Sequence, residues 1–463
     1  MRKYAAILAV LILSACKHPL AIEGEGDIVD ANGSGYGCTL EQFQAADTAC
    51  SENEVAGDYT ASYQAQPRDG WRFVRWDGYC GPASVEPACA MDVAGESVTF
   101  WDSLYPDIAM PATTAVFEPE GALALYRDQV AEVDQYLRDI EFSGSVLLGI
   151  GDDTLLARGY GLADRERGHT NKHDTRFFIL SVTKTFTAAS IIMLEERQLL
   201  STDDLLCDYL EECPADWQAM TLHQLLTHTA GLPNYLDSAW DSDDYGLLWT
   251  LEATEPEVLE TLYEMPLEFL PGTDRAYSNS GYFLLGKVIE AVSGTSYSQF
   301  LQDNIFGPLG MEDTGIEPSS RSNFASGYHA NSLVPKLSST TMKSSGGIYS
   351  TVIDLQLFER AMQTDVLLSD SAREKFLMTH VDVPCSGNCT RGQAYGWNRE
   401  NWSGIDILWK DGWNPGWSSM LISSFQDEHP SVIVLQNTTG GAPYVVPVAL
   451  DIGRMLSGFD PRN

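Results

Sequence analysis

Residues 178–186 read FILSVTKTF, and the apolar character continues to Leu194. This pattern predicts a buried helix with Ser181 near its N-terminus. A spacing of three residues puts Ser181 and Lys184 on one helical face, within reach of each other. A serine hydroxyl is a poor nucleophile at neutral pH, and a desolvated amine that has lost its proton can activate it. The segment therefore points to nucleophilic catalysis by Ser181 with Lys184 as its proton partner.

The Ser-x-x-Lys spacing alone is a weak signal, because a serine at a helix start is often only an N-cap. Three further segments follow it in order. Residues 225–233 read LLTHTAGLP, residues 277–279 read YSN, and residues 410–419 read KDGWNPGWSS. Four such features in one chain argue against chance, although Tyr277 and Asn279 as turn residues and Lys410 as a strand-edge charge remain alternatives.

The four segments together resemble the serine β-lactamase and penicillin-binding-protein superfamily, in particular its class C-like branch. That branch includes class C β-lactamases, D-Ala-D-Ala carboxypeptidases, D-aminopeptidases and family VIII esterases. The resemblance implies a Ser181 acyl-enzyme, with Lys184 and Tyr277 transferring protons, and no cofactor or metal. It implies a small-molecule or peptide substrate. Substrate-binding and oxyanion roles fall on four further residues: Asn279, Lys410, Gly412 and Trp413.

The third motif departs from the family pattern in ways that bear on the substrate. Asp411 stands where β-lactamases carry Thr or Ser, and a carboxylate there would repel the carboxylate of a penicillin. Trp413 and Trp417 are expected to narrow the acyl pocket or stack on substrate, unless they face outward. A histidine beside a serine nucleophile is often its general base, but the resemblance implies that His228 has a structural role.

Three other functions compete with an ester or amide hydrolase. A true β-lactamase is one alternative, and a catalytically inactive adhesive or binding lipoprotein is another. The intact set of motif residues argues against the inactive scaffold. An α/β-hydrolase esterase is excluded, because the chain contains no Gly-x-Ser-x-Gly elbow.

Composition limits the class of protein further. The 463 residues carry 28 Lys and Arg against 65 Asp and Glu, a formal charge of −37. Such a polyanion repels phosphate backbones, so nucleic acid is not expected as a partner. Hydrophobic residues make up 44% of the chain, which is enough to bury a sizeable core.

The N-terminus predicts export and lipidation. Residues 1–15 have a basic start and a short apolar run typical of a signal peptide. Leu13 to Cys16 resembles the lipobox of bacterial lipoproteins, in which the cysteine takes a diacylglycerol. An ordinary signal peptide with an incidental cysteine is the alternative. We expect residues 16–30 to form a lipidated tether that anchors the protein in the bacterial cell envelope, at the outer membrane facing the periplasm or the cell surface.

Eight cysteines remain after Cys16, an even number that predicts disulfides in an exported protein. Sequence alone does not determine their pairing. Pairs of neighbours are the simplest guess: Cys38–Cys50, Cys80–Cys89, Cys207–Cys213 and Cys385–Cys389.

Two folded domains are expected after the tether. Residues 31–118 predict a small all-β domain cross-linked by disulfides, and we expect this domain to contact the cell envelope. The domain resembles the divergent InlB B-repeat-like modules, and its aromatics Trp71 and Trp76 are expected in its core. Residues 119–463 predict an α+β domain in which an antiparallel sheet, built from both ends of the region, is flanked by helices and a helical subdomain.

Overall fold

The fold is taken from a computed structural model. It describes residues 16–17, 20–24, 26–31, 37–45, 50, 54–55, 59–68, 71–77, 87–93, 112–119, 123–151, 153–236, 253–316, 323–335, 337–384, 390–402, 405–424, 431–441 and 444–457. The chain divides into two compact units. One comprises Met1–Leu125 and Glu166–Gly168, and the other comprises Tyr126–Arg165 and His169–Asn463. The proposed signal peptide, residues 1–15, lies outside the described residues.

In the described part of the N-terminal unit, the longer strands form two three-stranded sheets. Their strands are β1 Leu20–Glu23, β2 Gly26–Asp30, β3 Tyr59–Pro67, β4 Trp71–Asp77, β5 Ala88–Val93 and β6 Thr113–Pro119. One sheet has the order β1-β6-β4, in which β1 and β6 are parallel, and the other has the antiparallel order β2-β3-β5. A short helix, α1, spans Leu40–Gln44, and the two-residue strands Cys16–Lys17 and Glu54–Val55 pair with each other.

The tether predicted over residues 16–30 is instead part of this β-structure. Leu20, Ile22 and Ile28 are at most 4% exposed and alternate along β1 and β2 with less buried residues. Because these apolar side chains complete the core of the unit, the segment folds with it. Trp76 is fully buried and its Nε1 donates to the Pro87 carbonyl oxygen at 3.2 Å, so it is a core residue as expected.

Two of the four predicted disulfides are confirmed. Cys38 is bonded to Cys50 and Cys207 to Cys213. Cys89 is also disulfide-bonded. The other three cysteines of the predicted pairs lie outside the described residues: Cys80, Cys385 and Cys389.

The larger unit is built on an eight-stranded antiparallel sheet of order β8-β7-β14-β13-β12-β11-β10-β9. The strands are β7 Gly144–Ile150, β8 Asp153–Tyr160, β9 Val381–Pro384, β10 Thr390–Gln393, β11 Asn398–Trp402, β12 Ile405–Asn414, β13 Trp417–Ser424 and β14 Ser431–Gln436. The N-terminal hairpin β7–β8 joins the late strands through β14, which confirms the α+β fold with one sheet assembled from both ends.

Helices cover the sheet and form the region between its two halves. They are α2 Leu123–Asp139, α3 Thr183–Glu196, α4 Leu222–Leu226, α5 Glu255–Glu264, α6 Asn279–Ser293, α7 Tyr297–Leu301, α8 Ser339–Gly346, α9 Val352–Ala361, α10 Asp370–Leu377 and α11 Val445–Ser457. Helix α3 is buried on nearly every side, because it runs through the centre of the core with an almost wholly apolar or small sequence. Among the described residues, no helix combines the length and apolarity needed to cross a membrane.

Candidate active site

Ser181 lies in a 3-10 turn, Leu180–Val182, immediately before α3; we call this turn the serine turn. Leu180 has a φ of 51°, in the left-handed region that side chains other than glycine rarely adopt. The Ile179 N–H donates to the Ile348 carbonyl oxygen at 3.0 Å and anchors the turn. The turn therefore places Ser181 at the positive end of a long buried helix, where negative charge is stabilised.

Lys184 lies in the first turn of α3, and its side chain is completely buried. Its Nζ donates to Asn279 Oδ1 at 2.7 Å, to the Ser345 carbonyl oxygen at 2.6 Å and to Ser181 Oγ at 3.3 Å. The Asn279 amide donates in turn to Asn234 Oδ1 at 3.0 Å, which directs its own oxygen toward the lysine. A neutral amine keeps two N–H donors and gains a lone pair. With the donors taken by Asn279 and Ser345, that lone pair faces the Ser181 hydroxyl.

Tyr277 lies next to the serine from the other side. Its Oη is hydrogen-bonded to Ser181 Oγ at 2.7 Å. The centre of its ring is 4.9 Å from Lys184 Nζ and 5.2 Å from Lys410 Nζ. The phenol is hydrogen-bonded to the serine hydroxyl and lies beside two lysine side chains, so it is placed to exchange a proton with the serine. Tyr277 is 38% exposed, which leaves this face of the site open to a substrate.

The electrostatics of the site favour a neutral lysine. Burial, and then repulsion by Lys410, lower the pKa of Lys184 well below its usual range, while the charge of Asp411 opposes the shift. Burial also lowers the pKa of Lys410, again against the opposing effect of Asp411. A base must be unprotonated to accept a proton, so the lowered pKa prepares Lys184 for that role.

Strand β12 lies directly against the serine turn at Gly412. A Cβ at this position would lie 2.6 Å from the Ile179 carbonyl oxygen and 2.6 Å from Ser419 Oγ. Ser419 Oγ donates to the same carbonyl at 2.7 Å and joins the two elements. Only glycine permits this approach, which brings the Lys410 side chain and the Trp413 backbone beside the serine turn.

His228 supports the Tyr277 loop. Its carbonyl oxygen accepts a hydrogen bond from the Ala276 N–H at 3.1 Å, and its Nδ1 accepts one from the Ser278 N–H at 3.2 Å. The two bonds hold the residues on either side of Tyr277. Burial lowers the pKa of His228 well below its usual value, so the ring is neutral and keeps the lone pair that Ser278 requires. The contacts are those of a positioning residue.

Trp417 does not line the site, and the expectation that it narrows the acyl pocket is wrong. It is 3% exposed, and its ring packs edge-on against Phe178 at 5.5 Å. Its Nε1 donates to the Ala325 carbonyl oxygen at 3.3 Å. The tight turn at Gly416, where φ is 100°, begins β13 with this indole directed into the core.

Asp411 occupies the strand between Lys410 and Gly412 and is half-buried. Tyr444, in the residue before α11, donates a long hydrogen bond of 3.5 Å to its Oδ2. Burial, followed by the charge of Asp411, raises the pKa of Tyr444 to about 12. The Asp411 carboxylate is therefore close enough to affect both this phenol and the two lysines.

Two contributors to the site carry no motif of their own. Ser345 acts through its backbone carbonyl, which any residue could supply, so no side-chain pattern could reveal it. Asn234 follows directly after the LLTHTAGLP segment, and its position beside Pro233 was the available signal. Within the part of the chain that the structure describes, no cluster of three or more His, Cys, Asp or Glu side chains is arranged to hold a metal.

Comparison with known proteins places this geometry in a family. Residues 131–450 match the family described as Beta-lactamase. Penicillin-binding protein 4* of Bacillus subtilis (strain 168) is 30% identical over 329 residues, which cover 66% of this chain and 70% of the relative. Esterase EstB of Burkholderia gladioli is 32% identical over 210 residues, 43% of this chain and 53% of the esterase.

A solved structure agrees with the sequence relatives. The octameric penicillin-binding protein homologue from Pyrococcus abyssi is similar at a TM-score of 0.64 and 25% identity, covering 73% of this chain and 78% of that chain. The residues matched by the family, 131–450, include Ser181, Lys184, Tyr277 and Lys410. The chain belongs to the beta-lactamase family, and it is a serine hydrolase.

Proposed function

We propose that this protein hydrolyses an ester or a D-amino-acid amide or peptide through an acyl-enzyme on Ser181. The single observation that carries the proposal is the bonding of Lys184. Its two strongest acceptors, Asn279 Oδ1 and the Ser345 carbonyl, leave its lone pair for the Ser181 hydroxyl. Hydrolysis rates measured on a p-nitrophenyl short-chain ester, D-Ala-containing peptides and a chromogenic cephalosporin test the proposal. If the protein hydrolyses none of these substrates, the proposal is contradicted.

Acylation follows from these contacts. Ser181 Oγ attacks the substrate carbonyl carbon while its proton passes to Lys184 or Tyr277. The backbone N–H groups of Ser181 and Trp413 receive the developing oxyanion, which preorganised donors stabilise strongly. Collapse of the tetrahedral intermediate breaks the bond to the leaving group. The leaving group takes up the proton that Ser181 gave to the Lys184–Tyr277 pair.

Deacylation uses the same groups in reverse order. Tyr277 is the exposed member of the pair and is therefore the one that meets an incoming water. It accepts a proton from that water as the oxygen attacks the acyl carbon. The proton then returns to Ser181 Oγ, which leaves as the free serine, and the acid product departs.

The acylation rate should rise with pH along a limb that reports Lys184. Only the neutral amine accepts the serine proton, so activity increases as pH rises through a pKa that is held well below the usual lysine range. Lys410→Met removes a positive charge that repels the Lys184 ammonium, so it should move the limb to higher pH. The measurement is kcat/KM for a neutral ester against pH. A limb that does not move in Lys410→Met would contradict this electrostatic coupling.

The substrate class follows from charge at the third motif. The charge of the Asp411 carboxylate opposes the lowering of the pKa of Lys184 and of Lys410, so its field reaches the site. A penicillin or cephalosporin carboxylate placed near it meets like charge, whereas a neutral ester does not. One relative is named an esterase and another a penicillin-binding protein, which is compatible with ester or peptide turnover exceeding β-lactam turnover.

Asp411→Thr should raise cephalosporin hydrolysis relative to ester hydrolysis by at least about tenfold, because like-charge contacts cost several kcal/mol. Asp411→Asn is the matched variant, since it removes the charge without adding a hydroxyl. The ratio of the two kcat/KM values is the readout. If neither variant changes the ratio, or if the unmodified protein hydrolyses the cephalosporin efficiently, a true β-lactamase becomes the better assignment.

We also propose that the mature protein is lipid-anchored at Cys16 in the bacterial cell envelope, at the outer membrane. The support is the sequence alone: a basic start, a short apolar run and the lipobox-like Leu13 to Cys16. The N-terminal β-unit would then contact envelope components and hold the hydrolase at the membrane surface.

Cys16→Ser should block processing and lipid attachment, because serine lacks the thiol that takes the diacylglycerol. Expression in a bacterial host, detergent partitioning and mass spectrometry of the mature N-terminus measure this. Ser14→Thr, next to the same site, is the control that keeps the thiol. A lipid-free mature N-terminus elsewhere in the unmodified protein would refute the anchor.

A further inference from the structure

A break in helix α8 lies two residues before the carbonyl group that accepts a hydrogen bond from Lys184. Within this helix, Lys343 has φ 27° and ψ −117°, which is not helical. Helix α8 ends at Gly346, so the Ser344 and Ser345 carbonyls lie in its last turn, and only a longer helix would pair them with the N–H groups of residues 348 and 349. Those two N–H groups instead donate to Thr183 Oγ1 at 3.2 Å and to the Gly315 carbonyl oxygen at 2.8 Å.

The two carbonyls at this helix end face helix α3. The Ser344 carbonyl accepts from Thr187 Oγ1 at 2.7 Å, and the Ser345 carbonyl accepts from Lys184 Nζ at 2.6 Å. Lys184 and Thr187 are three residues apart and lie on the same face of α3. The last residues of α8, directly after the break, therefore present two acceptors to the buried side of helix α3.

This backbone conformation is unfavourable for lysine, so other contacts must hold it. Lys343 Nζ donates to Glu255 in the first turn of α5 and to Glu290 Oε1 of α6 at 2.7 Å. Lys287 Nζ donates to the second oxygen of each carboxylate, at 2.7 Å in both cases. Two ammonium groups and two carboxylates thus form one closed network that joins three helices.

The network is sheltered enough to be effective. The Lys343 side chain is 8% exposed and that of Glu290 is 18% exposed, so solvent screens their attraction less than at an open surface. Burial by itself raises the pKa of Glu290, but hydrogen bonds from Lys287 and Lys343 outweigh it and lower the pKa. The Glu290 carboxylate therefore stays charged and keeps its ion pair with Lys343.

We propose that Lys343 is a positioning residue whose ion pairs with Glu255 and Glu290 hold the break in α8 and so set the Ser345 carbonyl against Lys184. Losing that acceptor frees one N–H of the neutral Lys184 amine and lets its lone pair turn away from the Ser181 hydroxyl. Proton abstraction then slows although substrate contacts are intact. The proposal rests on the proposed role of Lys184.

The test compares Lys343→Met with Lys343→Arg. Methionine keeps an unbranched stem without the charge, and arginine keeps the charge. In Lys343→Met, the acylation rate constant per titrated active site should fall by about 10- to 100-fold, as small misplacements of catalytic groups do. The dissociation constant of a neutral ester, obtained from the same acylation measurements, should change by less than about threefold. Lys343→Arg should recover most of the rate, since it restores the ion pairs.

Arg138→Met is the matched control, because it removes a partly exposed ion pair with Asp134 on α2. It should leave the acylation rate per active site unchanged. If Lys343→Met does not fold, Glu290→Gln removes one carboxylate at constant size and should give a smaller fall in the same rate.

Two results would overturn the inference. One is an acylation rate in Lys343→Met within about twofold of the unmodified protein, with only its thermal stability reduced. The other is an equal loss in Lys343→Met and Lys343→Arg, which would exclude the charge as the cause. Neither result touches the proposed function, which fails separately if Ser181→Ala still forms the acyl-enzyme.

Discussion

Ser181→Ala is expected to abolish covalent labelling by a fluorophosphonate or penicillin probe and to lower kcat on the order of 10⁴- to 10⁶-fold. The methyl group cannot form an acyl-enzyme. The oxyanion hole and substrate-binding groups remain, so a small residual rate above that in water should persist. Stoichiometric labelling followed by intact-protein mass spectrometry, together with ester hydrolysis, measures both effects.

Ser419→Ala is a demanding control for this experiment. Ser419 Oγ lies near the serine turn and donates to the Ile179 carbonyl oxygen at 2.7 Å. The hydrogen bonds of Lys184 Nζ go to other residues. The variant should retain full labelling at Ser181, with a modest change in rate. Labelling of Ser181→Ala at full stoichiometry would show that another residue is the nucleophile.

Tyr277→Phe is expected to lower turnover by about 10²- to 10⁴-fold, the range over which positioned proton transfer acts. The change removes the hydroxyl that is 2.7 Å from Ser181 Oγ and keeps the ring that packs against His228 at 4.6 Å. Substrate binding should therefore change little, and the loss should fall on kcat. Pre-steady-state measurement of acylation and deacylation separates the two steps.

The two half-reactions should respond differently. In acylation Lys184 still abstracts the serine proton, whereas in deacylation the exposed Tyr277 is the group placed to meet water. We therefore expect acyl-enzyme to accumulate in Tyr277→Phe. Tyr282→Phe is the matched control, because Tyr282 Oη donates to the Leu226 carbonyl oxygen at 2.9 Å in the core. Unchanged acylation and deacylation rates in Tyr277→Phe would remove Tyr277 from the mechanism.

The candidate catalytic side chains could be named from sequence because each is a particular chemical group at a particular spacing, and the structure brings Ser181, Lys184 and Tyr277 together. Ser181 and Lys184 need only the three-residue period of a helix to meet. The antiparallel sheet built from both ends of the region was likewise visible from apolar patterns. Strands β9 to β11 were missed, since short edge strands with mixed polarity lack a clear alternation.

Charge and local pattern were weaker guides where packing decides. Residues 16–30 contain glycine and acidic residues typical of a tether. Leu20, Ile22 and Ile28 nevertheless fold into the β-unit, because their apolar side chains are buried in its core. Trp417 follows a catalytic motif, yet its indole fills the core beside Phe178. A pattern of two or three residues does not say on which side of a strand a side chain will lie.

The sequence by itself identified the candidate groups for the proposed chemistry: a serine, a lysine, a tyrosine and a second lysine in a fixed order, because covalent catalysis depends on side-chain groups. Only the tertiary structure decided how those side chains are positioned and oriented. The Ser345 carbonyl, the His228 contacts around Tyr277 and the ion pairs of Lys343 act through backbone atoms or long-range contacts. Backbone acceptors are common to all residues, so their use depends on where the fold bends the chain and not on which side chain stands there.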